Sequence, residues 1–307
     1  MLAEIFRRAL VALVTLWAVL TLSYVCLYTL PGDPARIILG PQASAESIQD
    51  FRRSAGLDGS WWQQYASYLR RLINLDLGDS FALRRPVASL IAERGQVSLK
   101  LAGAAFAVVL AVSILTPLGL KSVGANSALF AIEFGAQITA FAPPYVLAIV
   151  SLLVVGGCWG LVPIIFDAER AGSWWLAAGV LSAYPAALLL RVFGTELDAQ
   201  MRRPYALRAR ASGFSTTRTL WREALPNAVP VALAALANSL AFFVTGAFFV
   251  EIVFGVPGLG RLGQDALRQR DVALLAGVCI AFSAFVVVLG LVLDLLIQQR
   301  GPWRKDH

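Results

Sequence analysis

Apolar positions in this chain come in long runs, and the polar positions gather in the connectors between them. A membrane-spanning helix needs about 20 mostly apolar residues, since each residue rises 1.5 Å through a hydrocarbon core about 30 Å thick. Six segments meet that length: Ala9–Leu30, Val97–Leu120, Ala128–Gly157, Ser173–Val192, Ala228–Val253 and Val272–Leu296. The third contains Pro143-Pro144, which predicts a kink or a steep tilt there. Pro117 and Pro185 mark two further candidate bends. Such breaks persist in lipid only where neighbouring helices satisfy the freed carbonyls, so the pattern predicts a packed, all-α bundle.

Arg7-Arg8 precede the first run, which is too long for a signal-peptide core and lacks a small-x-small cleavage site before Pro31. It reads as the first span. The connector after it changes period. "SAESIQDFRRSAGL" (44–57) starts at Ser44, places Ile48 and Phe51 on one side and stops at Gly56, which predicts a short amphipathic helix. "SWWQQYASYLRRLINL" (60–75) repeats Trp61, Tyr65, Tyr68, Leu69 and Leu72 at helical spacing before the turn "DLGDS". These helices predict a small outer cap, with Trp61 and Trp62 suited to a membrane interface. The segmentation is a first span over residues 1–30, an extracytoplasmic connector over 31–96, and a five-span core over 97–307.

Composition agrees with the periodicity. The chain has 307 residues, 58% hydrophobic and 15% charged, with a mean hydropathy of +0.69. A soluble domain carries about 25% charge. The net charge of +7 lies in connectors rather than on one basic face, which argues for a membrane and against nucleic acid. Cys26, Cys158 and Cys279 form no pairing pattern, and the one histidine, His307, is terminal, so a histidine-built metal site is disfavoured. With both termini inside, the inner segments hold thirteen Lys and Arg against four in the two short outer loops. That asymmetry predicts cytoplasmic termini.

On this topology "RRPYALRARASGFSTTRTLWREALPN" (202–227), with six arginines, lies inside, between spans four and five. Tyr205 to Ala211 can make two helical turns, Gly213 offers a backbone break, Ser215 suits an N-cap, and helix resumes up to Pro226. Ala206, Ala209, Ala211 and Ser212 would let another protein's surface come close. Nothing here reads as a phosphate-binding loop: "GVPGLGRLG" (255–263) lacks the Gly-Lys-Ser/Thr that would hold phosphate and magnesium. The chain is therefore expected not to be an enzyme and to bind no cofactor.

The stretch "YALRARASGFS…EALPNAVP" resembles the inner loop, the EAA loop, of ATP-binding-cassette importer permeases. Other motifs narrow the resemblance to the dipeptide, oligopeptide and nickel-type permeases: "LPGDPA" (30–35), "GLD" (56–58), "QY" (64–65), "LDLGDS" (75–80), "PV" (86–87), "VEIVFGVPGLGRLGQDAL" (250–267) and "RD" (270–271), in order along nearly the whole chain. The resemblance implies a type I importer permease fold with six transmembrane helices in a bacterial inner membrane. It implies a homologous second permease, two cytoplasmic ATPases that bind ATP and magnesium, and an extracytoplasmic substrate-binding protein. ATPase coupling then falls on Tyr205, Ala209, Arg210, Ala211, Gly213, Phe214, Ala224, Leu225 and Asn227, within a coupling loop over 193–227. Structural motif positions are Pro31, Gly32, Asp33, Pro34, Pro257, Gly258, Gly260, Arg261, Asp271 and Asp294. The sequence departs from the family's pattern at Ser212, Glu223, Pro226 and Pro230, and in the tail "RGPWRK", which bears on docking detail and partner identity.

Ionisable residues at membrane depth are costly and invite a role. Glu251 suits either the pathway or its outer gate, or a structural pair with the "PGLGR" turn; Asn238 and Thr245 suit a polar stripe along the same span. Glu133 and Asp294 could pair with Arg191 or Arg300. Short peptides are the expected cargo, with nickel or a metal chelate of the opine-like metallophore kind as the alternative. An ion-coupled secondary transporter is the rival of another class, and it would call for inverted repeats and midplane acids.

Overall fold

The computed structural model describes residues 10, 13–15, 17–22, 24–25, 34–40, 42–54, 58–74 and 76–299, some in their backbone alone. Pro31, Gly32, Asp33 and Gly56 lie outside these residues. The helices are α1 Pro34–Leu39, α2 Ala45–Ser54, α3 Trp61–Ile73, α4 Val87–Ser122, α5 Asn126–Phe141, α6 Pro144–Cys158, α7 Ala171–Met201, α8 Pro204–Ala211, α9 Thr216–Thr219, α10 Leu225–Phe254, α11 Leu259–Gln269 and α12 Val272–Gln299. One antiparallel hairpin joins β1 Asp79–Ser80 to β2 Arg85–Pro86, with Asp79 opposite Pro86. α4 and α7 are each long and apolar enough to cross a membrane, and two further helix pairs pass that test when counted across a break.

Two compact units divide the chain: residues 1–98 with 257–287, and residues 99–256 with 288–307. The connector thus shares a core with chain far downstream, a grouping that sequence order does not show.

In the first unit α2 begins where Ser44 Oγ accepts the Ser47 N–H at 3.1 Å, and α3 where Gln63 Oε1 accepts the Ser60 N–H at 2.9 Å. These side chains satisfy amides that a helix start leaves without partners. α3 lays its aromatic face on the first apolar run: Tyr24 lies 5.3 Å from Tyr65 and 6.1 Å from Tyr68, ring to ring, and Thr21 Oγ1 bonds Tyr65 Oη at 2.6 Å. Val87 and Leu90 of α4, Leu259, Leu262 and Ala266 of α11, and Leu274, Leu275 and Val278 of α12 form the buried core. α11 is strongly amphipathic, burying that apolar row while Arg261 and Arg268 face outward.

This core explains one difference from the sequence reading. The second long helix starts at Val87, ten residues before the expected Val97, because its polar first turns carry Val87 and Leu90 into the core.

In the second unit α7 and α10 make the most extensive contact, and α5 and α6 pack on them. The third apolar run is broken rather than kinked: its halves meet at 106°. Pro143 is extended (φ −56°, ψ 143°), as a residue before proline prefers, and Pro144 restarts the helix. α7 instead runs unbroken through Pro185. Pro226 does not end the helix there either. A π-helical turn at Leu220–Ala224 shifts the hydrogen-bond register, and Pro226 falls in the first turn of α10, where no amide donor is needed. A second π turn, Ala111–Leu115, lies inside α4, and there Ser113 Oγ donates to the Ala186 carbonyl of α7 at 3.0 Å.

Candidate functional site

α8 and α9 form a helical elbow. α8 ends in a Schellman turn: Gly213 N–H donates to Arg210 O at 3.0 Å, and Phe214 N–H to Ala209 O at 3.1 Å. Gly213 takes φ +91°, a left-handed conformation that only glycine adopts at little cost. Ser215 then caps α9, its Oγ accepting the Arg218 N–H at 3.2 Å. The Arg218 guanidinium lies 4.0 Å over the Phe214 ring and braces the corner.

The elbow has an inner and an outer face. Ala206, Leu220 and Ala224 are buried, while Leu207, Arg208, Arg210, Ala211 and Gly213 are exposed and Ala209, Phe214 and Leu225 are half-buried. Ala206 therefore faces the bundle instead of an outside surface, unlike the expectation from its size. Tyr205 donates its hydroxyl to Gln200 Oε1, and Gln200 Nε2 bonds Glu196. Burial raises the Tyr205 pKa, so the phenol stays a donor. Asn227 Nδ2 donates to Glu223 O at 2.7 Å across the π turn.

Sequence reasoning missed the anchor of this elbow. Thr217 Oγ1 donates to Ser122 O at 3.1 Å and Trp221 Nε1 to Ser122 Oγ at 3.3 Å. Next to it Lys121 forms an ion pair with Asp198 of α7. The last turn of α4 thus holds both the elbow and α7. No local pattern marks Ser122; only its place at the end of an apolar run hinted at an interface.

In the first unit, two of the short motifs meet. Asp271 is fully buried and accepts three hydrogen bonds: from Ser80 Oγ at 2.6 Å, Ala82 N at 3.1 Å and Leu274 N at 3.0 Å. It caps α12 and clamps the hairpin loop to it. Arg270 before it takes φ +54°. Pro257 O accepts from Arg94 Nη1 at 3.3 Å, Gly258 O from Leu262 N at 3.0 Å, and Gly260 is buried beside the exposed Arg261.

The pathway candidates separate. Glu251 is fully buried and not without a partner, and Thr245 is exposed. Asn238 and Asp294 lie in α10 and α12. Their side chains, like that of Pro34 at the start of α1, lie outside the described residues.

A chain of long apolar helices, broken by prolines and joined by a basic helical elbow, defines a polytopic helical membrane protein. Residues 107–304 match the family described as binding-protein-dependent transport system inner membrane component, and residues 1–102 match that family's N-terminal companion. The chain belongs to this family, the permease subunits of ABC importers, which are membrane-embedded and generally non-catalytic. A protein of Brucella suis biovar 1, assigned by name to a peptide transport system as its permease, is 30% identical over 313 residues, covering 98% of each chain. The glutathione transport system permease protein of Escherichia coli O6:H1 is 30% identical over 306 residues, again 98% of each.

Proposed function

We propose that this chain forms half of the translocation pathway of an ATP-driven importer of short peptides. It crosses the inner membrane six times with both termini in the cytoplasm. The first span covers 1–30, the connector 31–96 is an extracytoplasmic cap, and residues 97–307 are the permease core. A homologous second permease completes the pathway, a substrate-binding protein delivers cargo outside, and two ATPases supply ATP and magnesium from the cytoplasm.

The observation that carries this reading is the elbow. It presents Leu207, Arg208, Arg210 and Ala211 outward while its other face is hydrogen-bonded to the end of α4 and packed on α7. An ATPase seated on Tyr205 to Phe214 would move both helices together. That is a coupling free energy between two sites, delivered through a rigid lever. Ala224, buried, and Leu225, half-buried, act from within the lever, and the exposed Asn227 braces its π turn through Glu223 O. Arg208, Arg210, Arg218 and Arg222 also meet anionic headgroups, at about 1 kcal/mol each. The names of the peptide and glutathione relatives support the cargo class.

Site-specific crosslinking from Ala209 and Ser215, in membranes that contain the candidate ATPases, tests the reading. Crosslinks to an ATPase that change with ATP are expected. Robust uptake without an ATPase crosslink from either position overturns it in favour of an ion-coupled transporter.

A further inference from the structure

Between α5 and α7 lies a cavity of about 150 Å³, lined by Gln137, Phe141, Tyr184, Ala187 and Arg191 among others. Its one cation is unusually placed. Arg191 gives a single N–H, from Nη1, to Gln137 Oε1 at 3.0 Å. Among the described residues it forms no ion pair: Asp198 pairs with Lys121, and the Glu133 carboxylate lies against Gly194, one turn along α7, where it acts on Arg191 through space without contact.

Arg191 is exposed in the single chain and stands one residue before the end of the fourth apolar run, at its expected inner end. Arg191 precedes Asp198 by seven helical residues, about 10 Å along the axis of α7. Its guanidinium turns across to α5 instead of down towards the Lys121–Asp198 pair. An arginine inside a span is tolerated where it faces a bundle interior or a water-filled cavity, and such residues mark transport pathways. A guanidinium has five N–H donors in a planar fork, and one is used here. The rest offer the two parallel bonds that a carboxylate accepts. Tyr184, stacked at 4.0 Å on Phe242, fixes one wall and Phe141 another. The cavity opens to the surface of the single chain, so a peptide terminus can enter it while the rest of the peptide stays outside.

We infer that Arg191, oriented by Gln137, is a carboxylate-accepting station in the pathway, which receives the C-terminal carboxylate of a short peptide. The inference rests on the peptide-importer reading and names a residue that this reading leaves open.

The test is phenylglyoxal modification of the full chain in native membranes, read at each arginine by peptide mass spectrometry. Three probes are compared: trialanine, trialanine amide, and Ala-Glu-Ala amide, whose only carboxylate is on a side chain. Trialanine is expected to slow modification of Arg191 at least threefold, with neither amide doing so and Arg202 unaffected by all three. Equal protection by trialanine and its amide, or protection by none, overturns the carboxylate role. Protection by Ala-Glu-Ala amide equal to that by trialanine overturns the assignment to a chain terminus. As a second measurement, R191Q should lower trialanine uptake about tenfold with uptake of the amide unchanged, and R191K should recover part of the loss. An equal loss for both probes in R191Q makes the residue structural and overturns the proposal. The labelling needs no transport step, so failure of this site is told apart from failure of the importer reading, which the ATPase crosslinks score.

Discussion

Ser80 Oγ donates a 2.6 Å hydrogen bond to Asp271 Oδ2, joining residues 191 positions apart inside the core of one unit. The carboxylate also takes the Ala82 amide and the first-turn amide of Leu274, so it ties a hairpin loop to a helix start. Replacing it by alanine leaves three donors without that partner, those of the buried Ser80 and Leu274 among them. Each buried unsatisfied group costs about 1–3 kcal/mol, and the lost cap about 1 more. Asp271→Ala should therefore destabilise by about 3–5 kcal/mol and Ser80→Ala by about 1–2, measured as thermal unfolding in detergent. The two should be strongly non-additive, because both remove the same bond. Additive losses would mean that the clamp is not a unit.

Gly213 separates conformational strain from crowding. Nothing lies within 4 Å of a Cβ placed there, yet φ is +91°. Any loss on substitution therefore comes from the backbone, at about 1–2 kcal/mol for an ordinary residue. Asparagine tolerates left-handed geometry best and β-branched residues worst. ATP-driven uptake should fall in the order Gly, Asn, Ala, Val, with little change in the melting temperature of the bundle. An order that followed side-chain volume instead would place the effect in a partner contact.

The local elements were legible and the joins were not. The periodicity of "AESIQDFRRS" and "WWQQYASYLRRLI" gave α2 and α3 nearly to their ends, because capping and apolar spacing act within a few residues. Pro143-Pro144 marked a break, but a 106° turn depends on how the two halves pack, which no dipeptide encodes. The start of α4 was hidden because Glu93, Arg94 and Gln96 make its first turns look like connector. The π turn at Leu220–Ala224, which lets Pro226 stay helical, has no compositional mark. In the elbow, Gly213 and Ser215 were readable as turn and cap. Ser122 was not, since its partners Thr217 and Trp221 lie 95 and 99 residues away.

Tyr68 carries a hydroxyl that is buried with no hydrogen-bond partner among the described residues. Burial, then the charges of Cys279 and Tyr65, push its pKa well above the usual tyrosine range. A buried unpartnered hydroxyl is a cost, so Tyr68→Phe should be neutral or stabilising by up to about 1 kcal/mol. The pH dependence has a definite sign. The folded phenol keeps its proton longer than the unfolded one, so its contribution is intact below about pH 10 and is lost as pH rises beyond that. An alkaline melting series should show a decline in the wild type that is shallower in Tyr68→Phe. Identical slopes would mean that water reaches the hydroxyl.

Gly277 of α12 faces Val87 and Ile91 of α4. A Cβ there would lie 2.4 Å from Val87 Cγ1, a distance that real side chains do not sustain, and 3.0 Å from Ile91 Cδ1, a tight contact. Val87 is fully buried, so it cannot swing aside into solvent. Overpacking of this kind costs about 1–3 kcal/mol. Gly277→Ala should lower the melting temperature accordingly, and Val87→Ala alone should also destabilise by leaving a void. The double variant should be more stable than the sum of the two losses, because the new methyl then occupies the space that Val87 gives up. If the double variant is no better than additive, the two helices do not meet at this point, and the core joining the connector to the last helix has a different packing.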